Sequence, residues 1–219
     1  MADVAADIWV LTETHVDYQP TDQHTHVVYC PAHETRRGVD ERWTAIWSRW
    51  PLSQIEDPAP NRRGTVAALA ETPTGEIVVY GTVIAWANDP VHNDGQPAKM
   101  WEVQAAEITR QGADWQKLRQ LHPTTPLIVA GDFNQDRDGS GWYGTKAVRA
   151  ALGHALREAD LVCVTDQDVV ATGLLKSDHL VDHICISSGL TISTPILCWE
   201  RIDESGQRLS DHPTVAIDI

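Results

Sequence analysis

The chain has 219 residues, of which 42% are hydrophobic and 22% are charged. This composition excludes a disordered chain, and the length allows one sizeable core, so we predict a single domain over residues 1–219. Lys and Arg number 17 against 31 Asp and Glu, a formal charge of -14. That charge excludes the basic surface that tight, sequence-independent DNA binders usually have.

Four cysteines, Cys30, Cys163, Cys185 and Cys198, stand far apart without a C-x-x-C pair. Three of them lie in apolar runs, which predicts free, mostly buried thiols. The first residues, MADVAADIWVL, are acidic where a signal peptide is basic, and no apolar run reaches membrane-spanning length. We therefore expect a cytoplasmic protein with no membrane partner.

The first half of the chain predicts five strands, at residues 7–12, 27–30, 43–52, 65–72 and 76–87. The third segment has three tryptophans at helical spacing, but its β-branched residues and Pro51 favour a strand that runs into a turn. The last two segments flank a Pro-Thr-Gly turn, which predicts that they pair.

The second half alternates helices and strands. An amphipathic helix is predicted at 99–121, with Trp101, Val103, Ile108, Trp115 and Leu118 as core contacts. A second helix is predicted at 144–159, and strands at 126–132, 161–166, 180–187 and 212–219. This order predicts a layered α/β fold whose polar residues gather at strand ends.

Gly131-Asp132-Phe133-Asn134 directly follows an apolar strand. A carboxylate at that place can orient or deprotonate a water, and an amide can hydrogen-bond a phosphoryl oxygen or hold the carboxylate. The alternative is a turn in which Asp132 and Asn134 cap the backbone.

Ser210-Asp211-His212 precedes the final strand, and Asp182 interrupts an apolar alternation where an unpaired charge would be costly. We predict that Asp182 pairs with His212, because an Asp on one ring nitrogen fixes the tautomer and raises the basicity of the other. The alternative is an Asp–His bond with a structural role only.

Glu13 ends the first predicted strand. Hard oxygen ligands of this kind select Mg²⁺ or Mn²⁺, which bind through one or two carboxylates plus substrate phosphate. Taken alone, a residue such as Glu13 is more often a surface acid than a metal ligand.

Five short motifs follow one another: L-T-E-T at 11–14, S-R-W-P-L at 48–52, G-D-F-N at 131–134, V-D-H-I at 181–184 and S-D-H-P at 210–213. Together they closely resemble the endonuclease/exonuclease/phosphatase superfamily, which includes DNase I-like nucleases, abasic-site endonucleases, sphingomyelinases and inositol-phosphate phosphatases. The resemblance runs from about residue 7 to the C-terminus.

The resemblance implies an α/β fold in which a two-sheet β-sandwich is flanked by helices, here shortened at the N-terminus. It makes Glu13 the main metal ligand, with Asp211 as a further carboxylate near the metal or the histidine. It implies that Asp132 orients or activates the attacking water and that Asn134 contacts the phosphate. It also implies that His212, paired with Asp182, faces the scissile phosphate. The implied reaction is in-line attack of water on a phosphoester, with Mg²⁺ or Mn²⁺ as cofactor.

The sequence departs from the family pattern in two places. Members usually open with a W-N-x-N strand before the L-x-E motif, and this sequence has no such motif. We therefore expect an unpaired sheet edge that another segment covers, or a second subunit in a homo-oligomer. In the second place, Trp86 and Ala87 stand where many members carry a His-Leu pair.

Several other features have weaker functional interpretations. His15, His24, His26 and His33 resemble a transition-metal cluster, although H-x-H spacing is common in solvated loops. The segment at 176–179 repeats the Ser-Asp-His order of the C-terminal motif.

Two groups of residues are candidates for substrate binding. The arginines Arg36, Arg37, Arg42, Arg49, Arg62 and Arg63 concentrate positive charge and are candidates for receiving phosphate, with surface ion pairs as the alternative. Trp142 and Tyr143 are candidates for stacking on a base or ring, with packing under the next helix as the alternative.

The sequence favours a metal-dependent phosphodiesterase or nuclease whose partner is a phosphoester substrate, with nucleic acid as one candidate. Two alternatives stay open: a catalytically impaired family member that binds phosphorylated ligands or a protein partner, and a small-molecule phosphatase. Fold and motif set the reaction class, whereas loops set the substrate.

Overall fold

The computed structural model describes residues 5–31, 40–56, 64–90 and 96–219. The strands in the first half of the chain are β1 (Ile8–His15), β2 (His26–Pro31), β3 (Glu41–Ser48), β4 (Leu52–Gln54), β5 (Thr65–Thr72) and β6 (Gly75–Val83). They are followed by helix α1 (Glu102–Leu121), β7 (Leu127–Asp132) and helix α2 (Lys146–Glu158). The chain continues with β8 (Leu161–Cys163), β9 (Asp182–Ser187), β10 (Leu197–Trp199) and β11 (Thr214–Ala216).

A six-stranded sheet forms the centre of the fold, in the order β4-β5-β6-β7-β9-β8. Strand β7 runs parallel to β6 and antiparallel to β9. Because side chains alternate along a strand, Leu127 and Val129 point to one face, where they pack with Trp115 of α1 and Leu152 of α2. The two helices therefore cover one face of this sheet.

A three-stranded sheet, β1-β3-β2, packs over part of the opposite face. Ile46 of β3 is fully buried there with Val66 of β5 and Val79 of β6. On its outer face this small sheet has its own cluster, in which Trp9 and Trp47 pack with Tyr18. The two sheets and the helices form the predicted helix-flanked sandwich.

Strands β10 and β11 pair antiparallel as a separate two-stranded sheet. Val215 and Cys198 of this pair pack against a small cluster built on Val169, Leu175 and Leu180. The sequence pattern did not predict β10, and the predicted last strand at 212–219 is shortened to Thr214–Ala216.

The other predicted elements are found within a few residues of their expected positions, and the segment at 43–52 is a strand followed by a bend, as predicted. Cys30, Cys163 and Cys185 are buried free thiols, and Cys198 is half-buried. One expectation was wrong in detail: Asp182 is the first residue of β9 and does not lie in the middle of the strand. In the described ranges, no helix has the length and apolar character needed to cross a membrane.

Candidate functional site

Asp132 is the last residue of β7 and is only 6% exposed. Gly131 before it has φ 134°, and a Cβ at that position would lie 2.1 Å from the carbonyl oxygen of Thr82 on β6. Only glycine fits this approach, because a side chain would meet backbone. The close pairing of β6 and β7 therefore fixes where the Asp132 carboxylate emerges.

Asn134 holds that carboxylate. Its backbone N–H donates to Asp132 Oδ1 at 2.8 Å, and its Nδ2 donates to Asp132 Oδ2 at 2.6 Å. Nδ2 also donates to the carbonyl of Ile84 at 2.9 Å, so both amide hydrogens have partners within the protein. The geometry makes Asn134 a residue that orients Asp132, and its predicted contact with phosphate stays a prediction.

Asp182 and His212 form the predicted pair, with Asp182 Oδ2 2.8 Å from His212 Nδ1. The hydrogen bond to Asp182, reinforced by the charges of Asp182, Asp132 and Asp211, raises the pKa of His212 to about 9 against the opposing effect of burial. Ser210 Oγ accepts from the backbone N–H of His212 at 3.2 Å. At neutral pH the imidazole is therefore a cation held in one orientation.

The Asp132 carboxylate lies in a negative environment. Burial raises its pKa well above the usual value, and the nearby charge of Asp182 raises it further, with Glu13 adding to the effect. Ligand atoms of Asp132, Asp182 and His212 all lie within 4.8 Å of one another. One buried carboxylate thus lies beside an Asp–His pair, close enough for all three to contact one small group.

Glu13 and Asp211 line the same cavity, which has a volume of about 880 Å³. Glu13 lies in β1 with φ 56°, a left-handed conformation that is costly for a residue with a side chain. Asn134 has the same kind of backbone, with φ 49°. Two other non-glycine residues in the described ranges, Trp101 and Asp160, also have positive φ and lie outside this cavity.

The donor set fits a hard divalent cation. Glu13, Asp132, Asp182 and Asp211 bring four carboxylates to one cavity. Burial is the main cause of the raised pKa of Asp132, and the negative charges of Asp182 and Glu13 add to it against the opposing charge of His212. Mg²⁺ and Mn²⁺ prefer such oxygen ligands and would relieve this repulsion.

Three predicted substrate-binding residues lie away from this cluster. Arg49 pairs with Asp7 at 2.8 Å, beyond the end of β1 opposite Glu13. Trp142 is 57% exposed and stacks on His179. The Tyr143 hydroxyl accepts from the backbone N–H of Ala87 at 3.2 Å, so Tyr143 is a packing residue in this structure.

The weaker sequence features resolve in different ways. His24 is buried, with its ring nitrogens 2.7 Å from Thr21 Oγ1 and 2.9 Å from the Ala6 carbonyl, which is a structural role. Arg42 lies over the ring of Tyr29. In the 176–179 segment, Asp178 pairs with Arg201 at 2.9 Å. The positions His33, Arg36, Arg37, Arg62 and Arg63 lie outside the described residues.

Sequence reasoning missed a polar stripe on the inner face of α1. Gln104, Glu107 and Gln111 are all buried, at spacings that place them on one helical face. Gln104 donates to the carbonyl of Asn134 at 2.8 Å, and Glu107 accepts from the N–H of Ala85 at 2.8 Å. The signal in the sequence was three polar residues at the spacing of the apolar face of a helix. Burying such side chains costs free energy unless they form hydrogen bonds, for example to buried backbone groups.

The sequence matches the profile of the Endonuclease/Exonuclease/phosphatase family over residues 1–212. No curated protein sequence matches the chain.

Three solved structures share the fold. The endonuclease domain of TRAS1, a telomere-specific non-LTR retrotransposon, is 20% identical, with 96% of this chain and 83% of that chain covered and a TM-score of 0.59. An endonuclease/exonuclease/phosphatase from Beutenbergia cavernae is 15% identical, with 97% of this chain and 62% of that chain covered and a TM-score of 0.60. The catalytic domain of human Nocturnin is 17% identical, with 96% and 80% covered and a TM-score of 0.55.

At these identities the structural matches establish the fold, while the family match covers nearly the whole sequence. The chain belongs to the Endonuclease/Exonuclease/phosphatase family, whose shared chemistry is the hydrolysis of phosphoester bonds.

Proposed function

We propose that this protein is a Mg²⁺- or Mn²⁺-dependent phosphodiesterase or nuclease. The observation that carries the proposal is the Asp182–His212 pair, 2.8 Å apart, beside the buried carboxylate of Asp132. A cationic donor and a general base within a few ångströms are the two groups that in-line hydrolysis of a phosphoester needs.

Asp132 is the residue that accepts a proton from the attacking water. Burial, and then the nearby charge of Asp182, raise the pKa of Asp132, which makes it a stronger base than an exposed carboxylate. The two hydrogen bonds from Asn134 fix the plane of the Asp132 carboxylate, so this carboxylate approaches the attacking water in one orientation.

His212 is the residue that faces the phosphoryl group. Asp182 occupies Nδ1, which leaves Nε2–H to donate to a phosphoryl oxygen on which negative charge develops. Because the pair is only partly exposed to water, this donor is worth more than it would be on an open surface.

Glu13 and Asp211 are the residues that would hold the metal, with the substrate phosphate completing its ligands. When bound there, the metal would neutralise charge on the phosphoryl oxygens and on the leaving group. The support from this chain is the gathering of carboxylates on one cavity wall without a neighbouring Lys or Arg among the described lining residues.

The test is hydrolysis of bis(p-nitrophenyl) phosphate and of single- and double-stranded DNA, with Mg²⁺, with Mn²⁺ and with chelator. We expect chelator-sensitive activity that falls by about 10²-fold to 10⁴-fold in His212→Ala. His154→Ala is the matched control, because His154 is exposed on α2 and pairs only loosely with Glu158 at 3.9 Å. Equal turnover in wild type and His212→Ala would refute the proposal.

A small-molecule phosphatase is the second candidate, and the formal charge of -14 favours it, since the whole molecule repels a long polyanion. Comparing the monoester p-nitrophenyl phosphate with the diester separates the two. Preference for the monoester, with DNA untouched, would replace the nuclease by the phosphatase.

A further inference from the structure

Two of the four cysteines face each other across neighbouring strands. Strand β8 pairs antiparallel with β9, and Cys163 lies directly opposite Cys185 in their register. Side chains of directly opposed residues point to the same face of a sheet. Both thiols lie on the face that the helices cover, because both belong to the hydrophobic core that Leu152 and Leu156 of α2 help to form.

The backbone hydrogen bonds place this pair at the closer of the two kinds of position in an antiparallel ladder. The N–H of Val164 donates to the carbonyl of Ile184 at 3.0 Å, one position along from the two cysteines. Since hydrogen-bonded and non-hydrogen-bonded pairs alternate, Cys163 and Cys185 form a non-hydrogen-bonded pair. The α-carbons of such a pair lie about 4.5 Å apart, within the range of about 4.4–6.8 Å that a disulfide spans.

A disulfide between these residues would be under strain. The β-carbons of directly opposed residues are about 4.5–5.5 Å apart, whereas a disulfide holds them about 3.5–4.5 Å apart. Forming the bond therefore draws the two strands together. Strand β8 can make this movement, because it is three residues long and, in the described residues, pairs with β9 alone. A strained disulfide is more easily reduced than a relaxed one, so the bond would be reversible.

The two thiols differ in acidity. A hydrogen bond from the side chain of Cys185, with a second from His183, lowers the pKa of Cys163 well below its ordinary value against the opposing effect of burial. Burial raises the pKa of Cys185, and the interaction with Cys163 raises it further. Cys163 is thus the thiolate of the pair and Cys185 the thiol, and the thiolate is the form that attacks an oxidant.

Cys163 is also the member of the pair that a small molecule can reach. It is 8% exposed on an edge strand, whereas Cys185 is completely buried. Cys198 on β10 is more exposed than either, but burial raises the pKa of its thiol to about 11. Exposure therefore favours oxidation of Cys198, and acidity favours oxidation of Cys163.

We propose that Cys163 and Cys185 are a redox-active pair that a hydroperoxide oxidises to an intramolecular disulfide. The Cys163 sulfur attacks one oxygen of the hydroperoxide, an S–O bond forms and the O–O bond breaks. The other oxygen takes a proton from solvent and leaves as water or an alcohol, and Cys163 becomes a sulfenic acid.

The second step closes the disulfide. The Cys185 sulfur attacks the Cys163 sulfur, the S–S bond forms, and the sulfenic hydroxyl leaves with the Cys185 proton as water. Two thiols lose two electrons in total, and the hydroperoxide gains them. A dithiol reductant reverses the change by thiol–disulfide exchange. This chemistry does not require that the protein hydrolyse any phosphoester.

The probe is hydrogen peroxide, added to the reduced, folded chain at neutral pH in the presence of chelator. Free thiols are then blocked, and the chain is digested and mapped by mass spectrometry without reductant. We expect two of the four thiols to be lost, the chain mass to fall by about 2 Da, and Cys163 and Cys185 to appear in one cross-linked pair of peptides. Dithiothreitol should restore all four thiols.

Substitutions assign the two roles. Cys185→Ser should stop the reaction at the sulfenic acid of Cys163, which dimedone labels. Cys163→Ser should slow the loss of thiols by about tenfold or more, because the thiolate is gone. Cys198→Ser is the matched control and should form the cross-link at the wild-type rate.

The wild-type peptide map needs no substitution, so it remains decisive if Cys163→Ser or Cys185→Ser fails to fold. Persistence of all four thiols in the folded chain would overturn the proposal, and so would oxidation of Cys198 before Cys163. A link between two chains, seen as a doubled mass, would also contradict it. Faster cross-linking in urea than in buffer would show that the two cysteines react only when the chain opens, which is the opposite of what the strand register predicts.

Discussion

The Asp182–His212 pair makes the stability of the protein depend on pH in a calculable way. The pKa of His212 is about 9 in the folded state against 6.5 for an unperturbed histidine. Because the folded-state pKa is raised, the pair's contribution is fully present below pH 6.5 and is lost as the pH rises through 9. At about 1.4 kcal/mol per pKa unit the ceiling is about 3.5 kcal/mol. The His212 side chain is 33% exposed, so solvent screening reduces the expected loss to about 1–2 kcal/mol.

The assay is urea unfolding in chelator at several pH values between 6 and 9.5, comparing wild type with His212→Gln. We expect the wild type to lose about 1–2 kcal/mol of unfolding free energy across this range relative to the variant, with the loss accruing steadily between pH 6.5 and about 9. His154→Gln should follow the wild type, because its ring is 69% exposed. Parallel stability curves for wild type and His212→Gln would refute the assigned pairing energy.

Three further outcomes are expected. Gly131→Ala should destabilise the protein by about 3 kcal/mol or more and abolish activity, because the new Cβ would meet the Thr82 carbonyl. Gly75→Ala is the control, since Gly75 has the same φ of 134° with open space around it, and it should cost about 1–2 kcal/mol in urea unfolding. Asn134→Ala should lower kcat by about tenfold to 10²-fold with little change in KM, because it releases the Asp132 carboxylate; an unchanged kcat would contradict this. Mg²⁺ or Mn²⁺ at about 100 times its Kd for the wild type should raise the unfolding free energy by about 2.7 kcal/mol. At the same metal concentration Asp132→Asn should gain less, and an equal gain would show that Asp132 does not contribute to metal binding.

The strands that carry Asp132 and Glu13 could be predicted because each is a short apolar run bounded by polar residues. Pairing of Asp182 with His212 was also accessible, since a carboxylate beside an apolar strand needs a partner and a histidine stood before the last strand. These inferences depend on local pattern and on the cost of an unpaired charge, both of which are visible in a sequence.

Other features depend on contacts between distant segments. The left-handed backbone of Glu13 is fixed by surrounding structure and its residue type does not reveal it, whereas asparagine, as at position 134, adopts this conformation readily. Strand β10 is three residues long and forms through pairing with β11, so it has too short a pattern to detect. The buried stripe on α1 was misleading because glutamines usually lie on the solvent face of a helix. Here Gln104 donates a hydrogen bond to the Asn134 carbonyl, and Gln111 accepts one from the Thr82 hydroxyl.

The two halves of the candidate site differ in how firmly the fold holds them. Asp132 ends a central strand with hydrogen-bonded neighbours on both sides, so its position follows from the core. Glu13 lies on an edge strand and has no paired residue in the register with β3. Thr12 before it pairs with Thr44, and Thr14 after it pairs with Arg42. Its left-handed backbone costs about 1–2 kcal/mol. The position of Glu13 therefore depends on the contacts of a single edge strand, whereas the position of Asp132 is fixed from both sides by the core.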